Sequence, residues 1–452
     1  MAAAGCIKLT GSKCQTIWGK SMEKIRIIPT KLYGAVHAPS SKSMGHREII
    51  CAGLAEGTSI IDNISMSKDI EATCRCLRAM GVQVEAVASK YQGRSALRIT
   101  GTGRLRAALS SVDCGESGST LRFFIPLGAL LGEAFTFCGH GKLVSRPLDA
   151  YYNIFKQQNL AYSNVNGQLP LTVNGKLQAG TYQLPGDVSS QFVSGLLFAL
   201  PLLACDSVIE ITSELESAAY VDITLSCLAK YGVKITNENH RRYVICGNQH
   251  YLAGSGNVEG DWSQAAFWAV GGALGNGISC TGLDINSLQG DKAICEIMQR
   301  MGAQVQLGAN AVTVGSSKTC ATVIDGANCP DIIPVLAVLA AVSEGTTEIV
   351  NAGRLRIKEC DRLAAMTSEL NKLGAQVTEL PDGLRITGRP EGLEGGAEVD
   401  AWNDHRIAMS LAVVAQCCKK PVVLTGAGSV QKSYPDFWRD YQSVGGKIEV
   451  LA

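Results

Sequence analysis

The sequence predicts an α/β fold of six repeated units, arranged as two domains of three. Three observations predict it. First, one pattern recurs: an amphipathic helix ends in an apolar residue plus Gly, and a short strand, a turn and a second strand follow. The copies read Met80-Gly81-Val-Gln-Val, Tyr231-Gly232-Val-Lys-Ile, Met301-Gly302-Ala-Gln-Val, Leu373-Gly374-Ala-Gln-Val and Val444-Gly445-Gly-Lys-Ile. Second, two return strands are nearly the same, Leu97-Arg-Ile-Thr-Gly101 and Leu384-Arg-Ile-Thr-Gly388, and a degenerate sixth copy fits at Asn159-Leu-Ala-Tyr162 followed by Gln168-Leu-Pro-Leu-Thr-Val173. Third, successive copies lie about 70–80 residues apart, longer than solenoid periods.

The Gly after each helix is the expected left-handed C-cap. The N-terminal strand, Lys24 to Ala38, is assigned to the C-terminal half. The crossings between domains are placed near Ser40 and Val258, so residues 1–40 plus 259–452 form one domain and residues 41–258 the other. The Gly-rich Ala253-Gly-Ser-Gly-Asn257 reads as a hinge. The first 21 residues lack a continuous apolar core and read as an extension rather than a signal peptide.

The chain has 452 residues, of which 46% are hydrophobic, and a formal net charge of +1. That suffices for two large cores and argues against a nucleic-acid or membrane-surface protein. The longest apolar runs, Phe192 to Ala204 and Ile332 to Val342, are shorter than the about 20 residues of a bilayer span. The 17 cysteines follow no framework spacing, so free thiols in a reducing cytoplasm are expected. No metal-ligand constellation and no dinucleotide or Walker glycine pattern occurs, so neither metal nor cofactor is expected.

Function is signalled by a second recurrence: small polar residues and cations stand just before apolar helices. Ser40-Ser-Lys-Ser-Met-Gly-His-Arg47, Glu116-Ser-Gly-Ser-Thr-Leu-Arg122, Ser189-Ser-Gln191 and Asn403-Asp-His-Arg406 each run into one. Lys432 follows a Gly-rich turn. Between Arg354 and Arg362 lie four cations (Arg354, Arg356, Lys358, Arg362) and two acids (Glu359, Asp361), ahead of the helical pattern Leu363, Met366, Leu370, Leu373. Cations in a first turn oppose the helix dipole unless an anion sits there. Backbone N–H groups at helix starts, Ser hydroxyls and Arg forks bind anions together. One such cluster is an ordinary cap. Five or six point to an interdomain cleft for polyanionic small molecules, phosphates above all. Asp331 reads as an N-cap or an acid at that cleft, Glu359 as an ion-pair partner or an acid, and His405 as structural or catalytic.

These residues resemble the 5-enolpyruvylshikimate-3-phosphate synthase family from about Met22 to the C-terminus. The resemblance is carried by Ser41-Lys-Ser43 with Arg47, Glu116-Ser-Gly-Ser-Thr-Leu-Arg122, Ser145-Arg-Pro147, Ser189-Ser-Gln-Phe192, Glu259-Gly-Asp261, Gln289-Gly-Asp291, Arg356-Ile-Lys-Glu-Cys-Asp-Arg362, Asp404-His-Arg406 and Lys432. It implies a two-domain inside-out α/β barrel with three βαβαββ units per domain. It implies transfer of the carboxyvinyl group of phosphoenolpyruvate to the 5-hydroxyl of shikimate 3-phosphate, releasing phosphate, in a monomer.

By the same resemblance, Lys42, Ser43, Arg47, Ser189, Ser190, Gln191, Ser217, Tyr220, Asp331 and Lys358 hold shikimate 3-phosphate. Lys42, Gly118, Arg122, Arg146, Gln191, Arg362, Arg406 and Lys432 surround phosphoenolpyruvate, the site where the family's usual members bind glyphosate. Lys42, Asp331 and Glu359 are the expected catalytic residues, Asp331 as base at the 5-hydroxyl and Glu359 as proton shuttle at C3. Three departures stand out. Arg354 and Glu116 each occupy a position where Asn is common, and Ala218-Ala219 replaces a Lys-Pro pair. Two alternatives are a UDP-N-acetylglucosamine enolpyruvyl transferase and a non-catalytic anion-binding homologue. The first uses a reactive Cys where this chain has Gly141. A mere binding module would need no acid–base pair.

Overall fold

A computed structural model describes residues 23–91 and 93–451, and the stretch read as an N-terminal extension lies outside them. Twelve α-helices of two kinds alternate along the described chain. Those of the first kind are Lys42–Leu54, Gly118–Gly128, Ser190–Ala199, Trp262–Leu274, Ile333–Ala341 and His405–Val414. They are buried nearly all round, as central helices must be: every residue of Trp262–Leu274 and of Ile333–Ala341 is buried. Burying each Leu, Ile or Val there is worth about 1.5–3 kcal/mol. The second kind, Lys68–Ala79, Asp149–Gln157, Ala218–Lys230, Ala293–Arg300, Arg362–Lys372 and Phe437–Ser443, packs one face and exposes the other.

Each helix of the second kind stops at a residue in the left-handed region: Gly81, Gly232, Gly302, Gly374 and Gly445, with φ between +84° and +95°, and Asn159 at +52°. Asn tolerates this conformation better than other residues with a side chain, which is why the sixth copy looks degenerate yet ends in the same way. At the first of these ends the Gly81 N–H bonds the Arg78 carbonyl, and the Val82 N–H bonds that of Leu77.

The strands form six four-stranded sheets and one small two-stranded sheet among the described residues. All six share one topology, a parallel edge strand followed by two antiparallel pairings. The first described strand, Lys24–Ile28, lies antiparallel between Val422–Thr425 and Lys447–Val450. The next, Gly34–His37, is the parallel edge of the sheet containing Ile278–Thr281. In the half made of residues 41–258, Ser255–Asn257 is likewise the parallel edge beside Glu56–Ile64. The two crossings lie side by side, since Ser41 N–H bonds Glu259 O at 2.7 Å and Asp261 N–H bonds Pro39 O at 2.8 Å.

Buried apolar side chains fall into two clusters. One runs from Ile49 to Val258; the other joins Ile25 to Ala38 with Trp262 to Val444. No helix of the described residues is long and apolar enough to cross a membrane.

Gly302 isolates the backbone requirement, because a Cβ there would meet only the Lys318 carbonyl, at an ordinary 3.5 Å. Gly302→Ala is expected to destabilise the protein by about 1–2 kcal/mol, and Gly302→Asn by less. Denaturant midpoints of the two variants check this.

Candidate active site

The starts of the six buried helices meet at one cleft. Lys42 and Ser43, Ser119, Ser190, and His405 and Arg406 lie in the first turns of four of them and line it. Trp262–Leu274 contributes through its cap Asp261, which accepts from the Lys42 N–H at 3.1 Å, and through Ser263, which accepts from Arg406 at 3.0 Å. Asp331 stands just before Ile333–Ala341. Arg47, Phe123, Arg146, Ser189, Gln191, Ser217, Tyr220, Arg354, Lys358, Glu359 and Arg362 complete the walls around about 620 Å³. An adjoining lobe of about 280 Å³ adds Arg122 and shares Arg146, Ser189, Gln191, Arg354 and Lys358. The caps are those the polar clusters announced: Ser41, Ser117, Ser189 and Asp404 accept from N–H groups of their own helices.

Two carboxylates face these cations. Asp331 Oδ1 accepts from Arg362 at 3.0 Å, with Lys358 Nζ at 3.6 Å. Its Oδ2 accepts from Arg406 at 2.9 Å and Tyr220 at 3.1 Å. Burial alone would raise this carboxyl, but Arg406, Lys358 and Arg362 outweigh it and hold it well below the usual range. Glu359 accepts from Arg362 at 2.8 Å and lies 3.7 Å from Arg146. It too would be raised by burial and is instead held well below its usual range, by Arg362 first and Arg146 second. Lys358 goes the other way. Burial destabilises its charge, Asp331 offsets this only in part, and the ammonium is pushed down to about 8.

The remaining expected residues divide by what already occupies them. Lys42 pairs with Asp69 at 2.8 Å. Arg47 is turned toward the protein, bonding Thr224 Oγ1 and the carbonyls of Ser43 and Tyr220, so it braces Ala218–Lys230 against Lys42–Leu54. Gln191 accepts from Arg122 at 2.8 Å and donates to Ser119 at 2.9 Å. Ser217 has φ +55°, and its N–H and hydroxyl reach Asn328 and Ala327 in the other half. Gly118 does not itself line the cleft; a Cβ there would stand 2.6 Å from the Arg146 guanidinium, so its bareness makes room for that side chain. Lys432 lies behind the wall, held by Glu116 at 2.9 Å and by the Asn403 carbonyl.

The structure decides points that the sequence left open. The helix after the charged stretch begins at Arg362 with Asp361 as its cap, and residues 353–357 form a 3-10 turn, so Lys358 and Arg362 do not share a helical face. They are brought together by their common partner Asp331. Asp331 makes no cap bond, because its carboxylate is taken by the cations. The departures also gain partners. Arg354 spans the cleft to Glu216 and Ser217 at 3.1 and 3.0 Å, and Glu116 binds Lys432 and Asn403.

Ser119 and Phe123 line the cleft without having been singled out, although both lie in or just after a marked cluster. Asp69, the partner of Lys42, carried no signal, because an acid near a helix start is ordinary. His405 is buried in the wall. Burial, countered only in part by Asp404, holds its imidazole well below the usual range, so it is neutral. Beneath the cleft, Arg362 Nε bonds Asp404 Oδ2 at 2.8 Å with both side chains essentially inaccessible.

The fold is that of the enolpyruvyl transferases. An enolpyruvyl transferase from Streptomyces tendae superposes over 94% of this chain and 98% of its own (TM-score 0.75, 17% identity). An EPSP synthase from Acinetobacter baumannii superposes over 95% of this chain and 100% of its own (TM-score 0.79, 25% identity). Within that class the chain belongs to the EPSP synthase (3-phosphoshikimate 1-carboxyvinyltransferase) family, whose model matches residues 27–441. Relatives bearing that enzyme's name include one from Clostridium kluyveri, 55% identical over 95% of this chain and 99% of its own. One from Clostridioides difficile is 45% identical over 95% and 99%.

Asp404 both caps His405–Val414 and neutralises Arg362. Asp404→Asn is expected to cost about 3 kcal/mol of stability at neutral pH, measured by denaturant unfolding. Burial raises the Asp404 carboxyl, but Arg362 reverses this and leaves it below its ordinary value. Its contribution is therefore complete above the ordinary carboxylate range and lost as pH falls through the lowered value, so wild type and variant converge in acid.

Proposed function

We propose that this cleft carries out the family's reaction, transfer of the carboxyvinyl group of phosphoenolpyruvate to the 5-hydroxyl of shikimate 3-phosphate with release of phosphate. The observation that carries the reading is the pairing of two carboxylates, Asp331 and Glu359, across one guanidinium, Arg362, inside a wall of cations. Two phosphates and two carboxylates have to share the cleft. Lys42, Arg146, Arg354, Lys358 and Arg406 meet that charge, together with the N–H groups of the helix starts. Holding two anions together against their repulsion supplies much of the rate enhancement. No cofactor enters the scheme.

Ser189, Ser190 and Ser217 cradle the phosphate of shikimate 3-phosphate, with Ser43, Arg47, Tyr220 and Lys358 around the ring. Gln191 lies between the two ligands. Arg146, Arg362 and Arg406 face phosphoenolpyruvate, supported by Arg122, Gly118 and Lys432. Asp331 Oδ1 takes the proton of the 5-hydroxyl as that oxygen attacks C2, and Glu359 delivers a proton to C3. In the second half Glu359 recovers a proton from C3 as the bond from C2 to phosphate breaks. Glu359 is ionised when its neighbouring cations are free. The arriving anions engage Arg146 and Arg362, which raises its pKa and charges it with the proton it must give. The adjacent crossings near residues 40 and 258 serve as the hinge between the halves, and the protein works as a monomer.

Incubation with phosphoenolpyruvate and shikimate 3-phosphate is expected to release phosphate, whereas UDP-N-acetylglucosamine in place of the shikimate ester releases none. The reverse result sinks the reading. Glu359→Gln and Asp331→Ala are each expected to lower kcat by about 10²–10⁴-fold while leaving shikimate 3-phosphate binding within about tenfold, read by calorimetry.

Lys358 sets a pH dependence. Its ammonium loses charge as pH rises through about 8, so kcat/KM for shikimate 3-phosphate is expected to fall above that pH. Lys358→Arg, which keeps its charge, is expected to flatten this limb in a pH–rate profile.

A further inference from the structure

Asp291 is buried at the end of the Gln289-Gly-Asp291 stretch, and it makes no ion pair among the described residues. Its Oδ2 lies 2.9 Å from the Tyr220 hydroxyl, and its Oδ1 has no hydrogen-bond partner. The same hydroxyl lies 3.1 Å from Asp331 Oδ2. A phenol carries one proton and two ionised carboxylates carry none, so both contacts are hydrogen bonds only if one of the acids is protonated. Otherwise a buried carboxylate faces a phenol oxygen with nothing between them, which is costly in this setting. Asp331 is bound by Arg362 and Arg406, with Lys358 close by; Asp291 has no such neighbour at bonding distance. The proton therefore resides on Asp291.

We propose that Asp291, in its protonated form, is a positioning residue for the carboxyvinyl transfer. It donates to the Tyr220 oxygen, Tyr220 donates to Asp331 Oδ2, and the Asp331 carboxylate is thereby held with Oδ1 turned to the substrate hydroxyl. This rests on Asp331 acting as the base. The groups facing Asp291 agree. Burial and then Asp331 raise its carboxyl to about 7, Arg406 and the Tyr220 hydroxyl counter this in part, and Asp261 adds to it. The nearby Cys329 thiol is itself pushed up, chiefly by burial, and stays neutral. Tyr220 is raised well above its ordinary value, so it remains a donor. When Asp291 loses its proton, Tyr220 has two carboxylates to serve and one proton to give, and Asp331 is released.

The test compares Asp291→Asn, whose amide can donate to Tyr220 but cannot titrate, with Asp291→Ala. With saturating substrates slightly below neutral pH, Asp291→Asn is expected to keep kcat within about threefold of wild type, and Asp291→Ala to lose about tenfold or more. The fall of wild-type kcat as pH rises through about 7 is expected to vanish in Asp291→Asn. Equal impairment of the two variants, an undiminished kcat in Asp291→Ala, or an unchanged pH profile in Asp291→Asn overturns the proposal. A readout without turnover separates this inference from the reaction itself. In ligand-free protein carrying ¹³C-labelled aspartate, the carboxyl resonance missing from Asp291→Asn should titrate near pH 7. A resonance already ionised at about pH 5 overturns the proposal even if the transfer reaction is confirmed. If instead wild type releases no phosphate from the substrate pair, the functional reading falls while the resonance still locates the proton.

Discussion

Arg362 is the point on which the site depends. Its guanidinium bonds three carboxylates at once: Asp404 beneath it, Asp331 on one side and Glu359 on the other. A buried guanidinium has to be matched by anions with good geometry, because removing it from water is costly. The rigid planar fork fixes where those anions lie. The fork thus sets the spacing between two acids supplied by different units, Asp331 before one buried helix and Glu359 in the loop before an amphipathic one. Asp404 anchors the arrangement in the core, since the same side chain caps His405–Val414.

Around this hub the cleft is electrostatically stressed. The Lys42 N–H, the Ser217 N–H, Arg354 and Lys432 each bond across it to the other half, at Asp261, Asn328, Glu216 and Glu116. Lys358 and Asp291 show the strain most directly. Burial lowers the pKa of the first and raises that of the second, bringing both close to neutrality. Groups poised there respond to the arrival of charge, and perturbation of this kind gathers at sites that bind and move it. The protein carboxylates partly balance the cations, and anionic ligands would shift that balance.

Much of the fold was legible because its rules are local. A Gly after an apolar residue at the end of a helix needs no distant partner to be read, and the Asn159 copy obeys the same backbone rule. The polar clusters were legible as helix starts for the same reason, since Ser41, Ser117, Ser189 and Asp404 cap the helices they precede. Less legible was what each cation faces. Arg47 stands among Ser and Lys residues in sequence, yet its guanidinium is spent on Thr224 and two carbonyls. Gly118 was expected beside phosphoenolpyruvate, yet the room its missing side chain leaves is taken by Arg146. Lys358 and Arg362 lie four residues apart without sharing a helical face, because Asp361 caps a helix that begins only at Arg362, and a shared acid joins them instead.

The sequence by itself determined the units, their number, their ends, the residues at the helix starts and, by resemblance, the family, because each depends on side chains near one another in the chain. Only the tertiary structure decided which sheet edges the strands at residues 34–37 and 255–257 occupy and which charges meet. Tyr220 and Asp291 are 71 residues apart, and Tyr220 and Asp331 are 111 apart. No local pattern reports that one phenol lies between two acids. Such a contact exists only once six helix starts have been packed against a single cleft, and the proton it requires is set by burial and neighbouring charge.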